Sequence, residues 1–283
     1  RMSENKLFTD SWNDYELIDA GGGKKLERWG NVITIRPELQ AYFHSGIPFD
    51  EWKKMAHWEF VEKRANKGLW KPLKKDARNS WDIKYKRLSF KLELTKYKHL
   101  GLFPEQKTNW DFIEEHLSSD DKFLNLFAYT GASSCVGRHI GADTYHLDSV
   151  KSVISWAKEN MERSRLMNIR WVHEDALKFV NREHKRGNIY QGIQLDPPAW
   201  GLGAKGEKWK LEDKIDEMLG ATSAILAKDG FLIMNTYSPT VDQEVLQELM
   251  SIYFPARTST VQGLHMKTTS GKHLYFGELV RVS

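Results

Sequence analysis

The sequence predicts an α/β fold in which a Rossmann-like, mostly parallel sheet of seven strands, the last one antiparallel, follows a small β-rich N-terminal domain. Short strand-like segments separated by turns fill roughly the first hundred residues. From about residue 110, apolar strand-like runs alternate with helical patterns, as in βαβ units, and the chain ends on two strand-like segments with no helix between them. Because 283 residues exceed what one average core organises, we expect two domains, residues 1–95 and 96–283.

The N-terminal domain is expected to consist of hairpins. Turn residues such as Gly21–Gly23 and Ala65–Gly68 separate short segments of strand-forming residues. The segments 81–86 and 88–95 alternate polar and apolar residues, which is the period-two pattern of half-buried strands. The predicted strands cover residues 15–19, 26–30, 31–37, 57–63, 69–73, 81–86 and 88–95.

The second domain is expected to contain five strand–helix units and a final hairpin. The predicted strands cover residues 123–129, 144–148, 169–175, 190–196 and 231–235, and the hairpin follows at 259–263 and 272–282. A doubly wound sheet accommodates such units because each crossover helix covers one of its faces. This count resembles the layout of the class I methyltransferase fold.

Apolar spacing assigns the buried faces of three helices in this domain. The predicted inward residues are Val150, Ile154, Ala157 and Met161; Ile215, Leu219, Thr222 and Ile225; and Leu246, Leu249 and Tyr253. The second of these helices is expected to close at Asp229-Gly230, where glycine favours a left-handed cap. The third is expected to start at Thr240, which forms a capping-box pattern with Gln243.

Composition and charge narrow the possible functions. The formal net charge of +4 and pI of about 8.9 permit nucleic-acid binding, and the lysine clusters at 63–75 and 84–98 form either a solvated β-surface or an RNA-facing one. Cys135 is the only cysteine, which excludes an intrachain disulfide and a Cys-rich metal site and fits a reducing compartment. No secretory signal, metal-ligand spacing or apolar run of roughly 20 residues is visible, so we expect a cytoplasmic protein without metal or membrane segment.

Three strand ends carry residues that suit a nucleoside-like ligand, because ligands of open parallel sheets bind beyond the carboxyl ends of the strands. The turn Tyr129–Ala132 leads into a helix N-terminus whose N–H groups can meet a carboxylate, although a purely structural turn is an equal alternative. Asp148, at the second strand end, is placed to accept from ribose hydroxyls or, alternatively, to cap the next helix. Asp175, at the third, is placed to accept from an adenine amino group, with capping again the alternative.

The fourth strand end is the sharpest feature of the sequence. In Asp196–Trp200 two prolines follow an aspartate, and each proline removes an N–H and holds its predecessor extended. Carbonyl acceptors therefore project beside the Asp196 carboxylate, where they suit the N–H groups of a base, and Trp200 is available to stack on its ring. The glycine- and lysine-rich stretch 201–210 that follows is either a mobile basic lid or a plain flexible loop.

Taken together, Asn125–Gly131, Asp148, Asp175 and Asp196–Trp200 resemble the RlmI/RlmK-type group of class I methyltransferases that act on ribosomal RNA. The stretch 98–110 resembles a segment that lines the cofactor pocket in that group, and the resemblance covers roughly residues 84–282. It implies S-adenosylmethionine as the cofactor and a base of large-subunit ribosomal RNA as the substrate. The cofactor-binding residues it implies are Phe103, Pro104, Gln106, Asn125, Phe127, Tyr129, Thr130, Gly131, Ala132, Asp148, Ser149, Asn160, Asp175, Ala176 and Asp196, and the catalytic ones are Asp196, Pro197, Pro198 and Trp200.

The chain departs from this group in two places. No PUA-type RNA-binding domain is evident at the N-terminus, and Asn235–Ser238 stands where members that methylate C5 of cytosine carry a cysteine. Cys135 is instead expected to be a packing residue, so a base nitrogen is the favoured target. A nicotinamide-dependent oxidoreductase and a non-catalytic RNA-binding protein are the alternative functions. A protein or small-molecule substrate and the oligomeric state stay open.

Overall fold

The computed structural model describes residues 5–202 and 205–283. It divides into two compact units. The larger unit comprises Thr108–Leu264, Phe276–Ser283 and the described residues up to Leu7, whereas the β-rich unit comprises Phe8–Lys107 and His265–Tyr275. The division expected from the sequence, between residues 95 and 96, stays a prediction.

The β-rich unit is built from the predicted hairpins. After β1 (Lys6–Thr9), a five-stranded sheet in sequential order contains β2 (Tyr15–Gly21), β3 (Lys24–Trp29), β4 (Val32–Pro37), β5 (Trp58–Arg64) and β6 (Lys67–Pro72). A short helix, α1 (Phe49–Met55), connects β4 to β5, which therefore pair in parallel. The strands β7 (Ser80–Tyr85) and β8 (Leu88–Glu93) form a separate antiparallel pair. All seven strands predicted for this region are present.

A buried ion pair lies inside the β-rich unit. The Arg36 guanidinium donates to both carboxylate oxygens of Glu27, at 2.7 and 2.8 Å, and the Tyr15 hydroxyl donates to the same carboxylate at 2.7 Å. Burial by itself raises the pKa of Glu27, but the charges of Arg36 and Lys25 outweigh it and hold that pKa below its usual value. The carboxylate is therefore ionised inside the core.

We expect the Arg36→Met variant to lose about 3–5 kcal/mol of unfolding free energy, because it leaves the Glu27 charge buried without its partner. Urea denaturation at pH 7 measures this loss, and the double variant E27L/R36M should recover most of it. Since the folded pKa of Glu27 lies below its unfolded value near 4.5, the stabilisation is complete above that pH and is lost as pH falls through the folded pKa. A double variant as unstable as R36M would contradict the assignment.

The larger unit contains the predicted alternation of strands and helices. Its strands are β9 (Lys122–Leu126), β10 (Asp143–Asp148), β11 (Arg170–His173), β12 (Tyr190–Leu195), β15 (Leu226–Thr236), β16 (Ser259–Lys267) and β17 (His273–Val282), and a short ribbon is formed by β13 (Trp200–Leu202) and β14 (Lys208–Lys210). Its helices are α2 (Lys107–His116), α3 (Ala132–Ile140), α4 (Lys151–Arg163), α5 (Ala176–Lys185), α6 (Leu211–Ile225) and α7 (Gln243–Tyr253).

The main sheet has the order β1-β16-β17-β15-β12-β9-β10-β11. The strands from β15 to β11 pair in parallel, and β17 runs antiparallel to β15. This confirms the doubly wound sheet with an antiparallel last strand. The eighth strand, β1, was not predicted; it adds to the edge beside β16. Strand order reverses between β9 and β12, where this class of sheet binds its ligands.

The buried faces of the helices mostly follow the predicted apolar stripes, but the ends of α6 and α7 and the inner face of α4 differ from the prediction. Ile215, Leu219, Thr222 and Ile225 of α6 are buried as expected. The helix ends directly at Ile225, however, so Asp229-Gly230 is not its cap: Gly230 lies in β15, where a Cβ would come within 2.5 Å of the Gln191 carbonyl oxygen. Similarly, Asp242 rather than Thr240 caps α7, because its carboxylate accepts the Val245 N–H at 3.0 Å.

Candidate functional site

The carboxyl ends of three neighbouring strands lie side by side in the larger unit. The parallel register pairs Leu126 at the end of β9 with Leu147 of β10 on one side and with Leu195 of β12 on the other. Asp148 and Asp196 follow these last two residues directly. The residues that leave these three strands therefore start from one edge of the sheet.

The loop after β9, residues 127–131, has an unusual backbone. Phe127, Tyr129 and Gly131 all have positive φ angles, of 55°, 53° and 82°. For the two aromatic residues this left-handed conformation costs roughly 1–2 kcal/mol each, so the surroundings must hold it. One such contact is the Tyr129 N–H, which donates to Asp148 Oδ2 at 2.9 Å, and another is the Ala128 N–H, which donates to the Leu147 carbonyl.

A chain of buried polar side chains supports the start of the loop and helix α3. Asn125 Nδ2 donates to Ser134 Oγ at 2.9 Å, and that oxygen lies 2.8 Å from His146 Nδ1. Burial lowers the pKa of His146 to about 3, so its ring is neutral. The sequence reasoning did not select Ser134 or His146, and only their contacts reveal them. The resemblance places Asn125 at the cofactor, and in the structure its side chain is hydrogen-bonded to Ser134 of α3.

Asn160 is also directed at this loop. It is fully buried in α4, and its Nδ2 donates to the Thr130 carbonyl at 2.9 Å. The predicted apolar stripe of this helix is correct for Ile154 and Ala157, but Val150 is half exposed and the polar Asn160 takes a core position. Without Asn160, the Thr130 carbonyl would be buried without a donor, which explains why a polar residue takes this core position.

Asp148 joins the first two strand ends. One carboxylate oxygen accepts the Tyr129 N–H and the other accepts the Val150 N–H, both at 2.9 Å. Burial raises the pKa of Asp148, whereas these backbone N–H groups lower it and leave a smaller net rise. The Ser149 N–H also donates to this carboxylate, which has about four lone-pair sites in all, so it can still accept a hydroxyl proton. Asp148 therefore holds the loop and retains capacity for a ligand.

At the third strand end, Asp175 acts as the N-cap of the following helix. Asp175 Oδ2 accepts the Lys178 N–H at 2.9 Å, so Asp175 caps α5, whose first residue, Ala176, is buried. Next to it, His173 Nε2 lies 3.0 Å from the Ser149 carbonyl oxygen. Capping was one of the two interpretations of Asp175, and a role toward adenine stays a prediction.

The N-terminus of α3 has no side-chain cap and follows Gly131 directly. Its first N–H groups are therefore donors for which the helix itself offers no acceptor, and they favour an anion. Gly131 is the residue that permits this entry: its φ is 82°, and a Cβ would come 3.0 Å from Ala157 Cβ and 3.1 Å from His146 Cε1.

We expect Gly131→Ala to destabilise the fold by about 2–4 kcal/mol, through left-handed strain and overpacking together. Gly187→Ala is the matched control, since φ is 75° there but no atom lies within 4 Å of the added Cβ. The control should lose only the strain, about 1–2 kcal/mol. Thermal and urea denaturation of both variants measure the difference, and equal losses would show that Ala157 and His146 yield without cost.

The Asp196–Trp200 stretch leaves β12 at the same edge. Asp196 is half buried and Pro197 buried, and the Pro198 carbonyl accepts the Trp209 indole N–H at 2.7 Å. The Trp209 ring lies 5.6 Å from the Phe127 ring, centroid to centroid. Trp209 was not selected from the sequence, yet it connects this stretch to the loop after β9.

The glycine- and lysine-rich stretch forms the β13–β14 ribbon, in which Trp200 pairs with Lys210 and Leu202 with Lys208. Trp200 is 70% exposed. Because neighbouring residues of a strand point to opposite faces, Trp200 and Trp209 lie on opposite sides of the ribbon. Gly203, within the predicted basic lid, lies outside the described residues.

Three of the predicted cofactor residues belong to the β-rich unit, and the single cysteine lies in α3. Phe103, Pro104 and Gln106 belong to the β-rich unit, at a 3-10 turn from Pro104 to Gln106, and their role at the cofactor stays a prediction from the resemblance. Cys135 is fully buried in α3, and burial raises the pKa of its thiol to about 12. Its complete burial confirms the expected packing role, and the raised pKa leaves almost no thiolate near neutrality.

The described residues contain neither a metal-binding cluster nor a membrane-spanning helix. No three His, Cys, Asp or Glu side chains within 5–202 and 205–283 are grouped so as to hold a metal ion. In the same part of the chain, the helices are too short or too polar to cross a bilayer.

Comparison with known proteins gives matches both in sequence and in structure. No protein-family model matches the chain. The Ribosomal RNA large subunit methyltransferase K/L of Hahella chejuensis is 32% identical over 158 residues, which are 55% of this chain and 21% of that protein. The protein of the same name from Magnetococcus marinus is 24% identical over 281 residues, 94% of this chain and 35% of that protein. The chain thus spans about a fifth to a third of the length of these curated relatives.

Solved structures match over nearly the whole chain. A Streptococcus mutans structure aligns with a TM-score of 0.76 over 95% of this chain and 75% of its own, at 16% identity, which shows the fold alone. The crystal structure of the SAM-dependent methyltransferase from Agrobacterium tumefaciens aligns with a TM-score of 0.91 and 32% identity, over 98% of this chain and 93% of its own. On this identity across nearly both full lengths, the chain belongs to the S-adenosylmethionine-dependent methyltransferases.

Proposed function

We propose that this protein transfers a methyl group from S-adenosylmethionine to a base nitrogen of ribosomal RNA. The observation that carries the proposal is the arrangement at one sheet edge: Asp148 holds the 127–131 loop, and Asp196 leaves the neighbouring strand end. Family membership removes the support for a nicotinamide-dependent oxidoreductase. The names of the curated relatives support ribosomal RNA as the substrate, which would place the reaction in the cytoplasm.

The residues present fit a sulfonium nucleoside. The uncapped N-terminus of α3 after Gly131 offers N–H donors to the methionine carboxylate. Asp148 offers acceptor capacity to ribose hydroxyls, and Asp175 would accept from the adenine amino group. The cofactor supplies a methyl group on positively charged sulfur, and because its product is a neutral thioether, the transfer requires neither a metal nor a covalent enzyme intermediate.

Asp196 and the Pro197 carbonyl orient the substrate in this proposal. They accept hydrogen bonds from the N–H groups of the target base, so that a nitrogen lone pair is directed along the line of displacement. That nitrogen forms a bond to the methyl carbon as the carbon–sulfur bond breaks, and the proton it releases is assigned to the Asp196 carboxylate. Trp200 is exposed and available to stack on the base.

The favoured nitrogen target follows from the residues near the last parallel strand. Asn235 of β15 stands near the position of a nucleophilic cysteine in C5-methylating relatives, and its Oδ1 accepts from Asn109 Nδ2 at 2.7 Å in the core. The one cysteine, Cys135, is buried with a raised pKa. A thiolate for addition to C6 of cytosine is therefore not supplied by this chain.

The test uses the whole protein, methyl-labelled S-adenosylmethionine and ribosomal RNA from cells that lack the gene. We expect label in the RNA, and mass spectrometry of its nucleosides should show one base methylated on nitrogen. Label on C5 of cytosine would overturn the nitrogen assignment. Label only in protein or in small molecules would overturn the substrate, and no label in any fraction would leave the non-catalytic RNA-binding alternative.

A further inference from the structure

Positive charge is concentrated in one short segment of the β-rich unit. Residues 62–78 contain seven Lys or Arg and two acidic residues, a net charge of +5, whereas the whole chain carries +4. The rest of the protein is therefore close to neutral. We call these seven cations the basic edge; they are Lys63, Arg64, Lys67, Lys71, Lys74, Lys75 and Arg78.

The fold presents the basic edge to solvent. It lies on the β5–β6 hairpin and the chain that follows, and β6 is the last strand of the five-stranded sheet. All seven cations are exposed. None of them forms an ion pair with another described residue, although Lys24 and Lys54 of the same unit pair with Glu59 and Glu51. Their charges are thus left for a partner of opposite sign.

An aromatic side chain stands beside this charge. The Gly68 N–H donates to the Lys96 carbonyl, and the Trp70 indole N–H donates to the Tyr97 carbonyl, so the segment 96–97 runs along the start of β6. Tyr97 is 38% exposed, and the Lys96 ammonium lies 5.6 Å from its ring centroid. Cations interleaved with an exposed ring are the combination with which proteins bind single-stranded nucleic acid.

A structural explanation accounts for only part of the pattern. Lysine on an edge strand prevents edge-to-edge aggregation, which suffices for Lys67 and Lys71 of β6. It does not explain Lys74, Lys75 and Arg78, which lie beyond the strand. We propose that the basic edge binds the phosphates of a single-stranded RNA segment and that Tyr97 stacks on one of its bases. The proposal rests on the proposed function only for the choice of RNA among polyanions.

Fluorescence anisotropy with a labelled single-stranded RNA of mixed sequence tests this site in the full chain, without cofactor. In K67Q/K71Q/K75Q, three lost phosphate contacts should weaken binding about 100-fold near 0.1 M salt and reduce the slope of log K against log salt by about 2. Tyr97→Ala should weaken binding on the order of tenfold and leave the slope unchanged. Because no turnover is measured, the result is independent of whether the protein methylates RNA.

The matched control is K53Q/K185Q/K228Q, which removes the same charge from exposed lysines outside the basic edge. It should keep RNA affinity within about threefold, and unchanged melting temperatures should show that both triple variants fold. Equal losses in the two triple variants would overturn the proposal, since net charge alone would then govern binding. Wild-type RNA affinity in K67Q/K71Q/K75Q would also overturn the proposal. Aggregation of that variant would then assign the three lysines to protection of the sheet edge, and loss of binding to phosphatidylserine-containing vesicles would assign them to a membrane surface.

Discussion

Asp196→Ala is expected to lower the rate of methyl transfer about 1,000-fold while leaving S-adenosylmethionine binding within a few fold. The carboxylate follows β12 at the sheet edge, where in our proposal it accepts hydrogen bonds and the released proton from the target nitrogen. Removing one oriented polar group that acts in the transition state typically costs about 100- to 1,000-fold in rate, and here a proton acceptor is lost as well. Single-turnover methylation measures the rate, and calorimetric titration measures cofactor affinity.

The control for this variant is Asp120→Ala, which removes an exposed carboxylate of the same unit that lies outside the predicted site. It should methylate at the wild-type rate. If Asp196→Ala also methylates at that rate, Asp196 has no role in transfer. If it instead loses cofactor affinity and rate in equal proportion, Asp196 acts on the cofactor and not on the base.

Asp148→Asn is expected to weaken S-adenosylmethionine binding about 100-fold, or roughly 3 kcal/mol. The aspartate accepts the Tyr129 and Val150 N–H groups through separate oxygens, whereas an asparagine has only one acceptor oxygen. One backbone N–H therefore loses its partner, the 127–131 loop loses an anchor for its left-handed residues, and the charged acceptor for ribose is removed. Calorimetric titration with the cofactor measures the change, and thermal denaturation reports the stability lost with it.

Asp121→Asn provides a comparison with the same chemistry. Asp121 accepts the Ser118 N–H at 2.8 Å on an exposed turn, so this variant also exchanges a carboxylate that binds backbone for an amide. It should keep full cofactor affinity. Unchanged affinity in Asp148→Asn would show that neither the anchored loop nor the carboxylate serves the cofactor, and would remove the basis for placing the nucleoside at this edge.

Local patterns were sufficient to predict most of the fold. The strands β9 and β12 of the larger sheet were visible as short apolar runs followed by a helical period, because burial on both faces imposes that composition. The strand β10 and the edge strand β11 are more polar and less buried, and the helical periods that follow them made them visible. The two strand-like segments at the end of the chain, with no helix between them, likewise predicted the antiparallel β17. The additional strand β1 and the true ends of α6 and α7 were not visible, since they depend on which neighbouring strand or backbone group lies nearby.

Some residues of the candidate site could likewise be predicted from the sequence, and others could not. Asp148 and Asp196 stood out because an acid at the end of an apolar strand is a one-dimensional signal, and parallel pairing then brings such ends together. His146 and Trp209 gave no such signal. A buried histidine and a loop tryptophan are common, and their significance comes from the contacts of His146 with Ser134 and of Trp209 with Phe127, which the residue types alone do not reveal.

The amino-acid sequence alone was enough to predict the alternation of strands and helices in the larger unit, its acidic strand ends and the concentration of positive charge in residues 62–78. These properties depend on residue type and short spacing, which the chain carries whether or not it is folded. Three features became visible only in the folded protein: Asp148 holds the 127–131 loop, Asn160 is buried in α4, and the seven cations stand exposed without ion pairs among the described residues. The physical reason is that hydrogen bonds and desolvation depend on atoms within a few ångströms, whatever their distance along the chain.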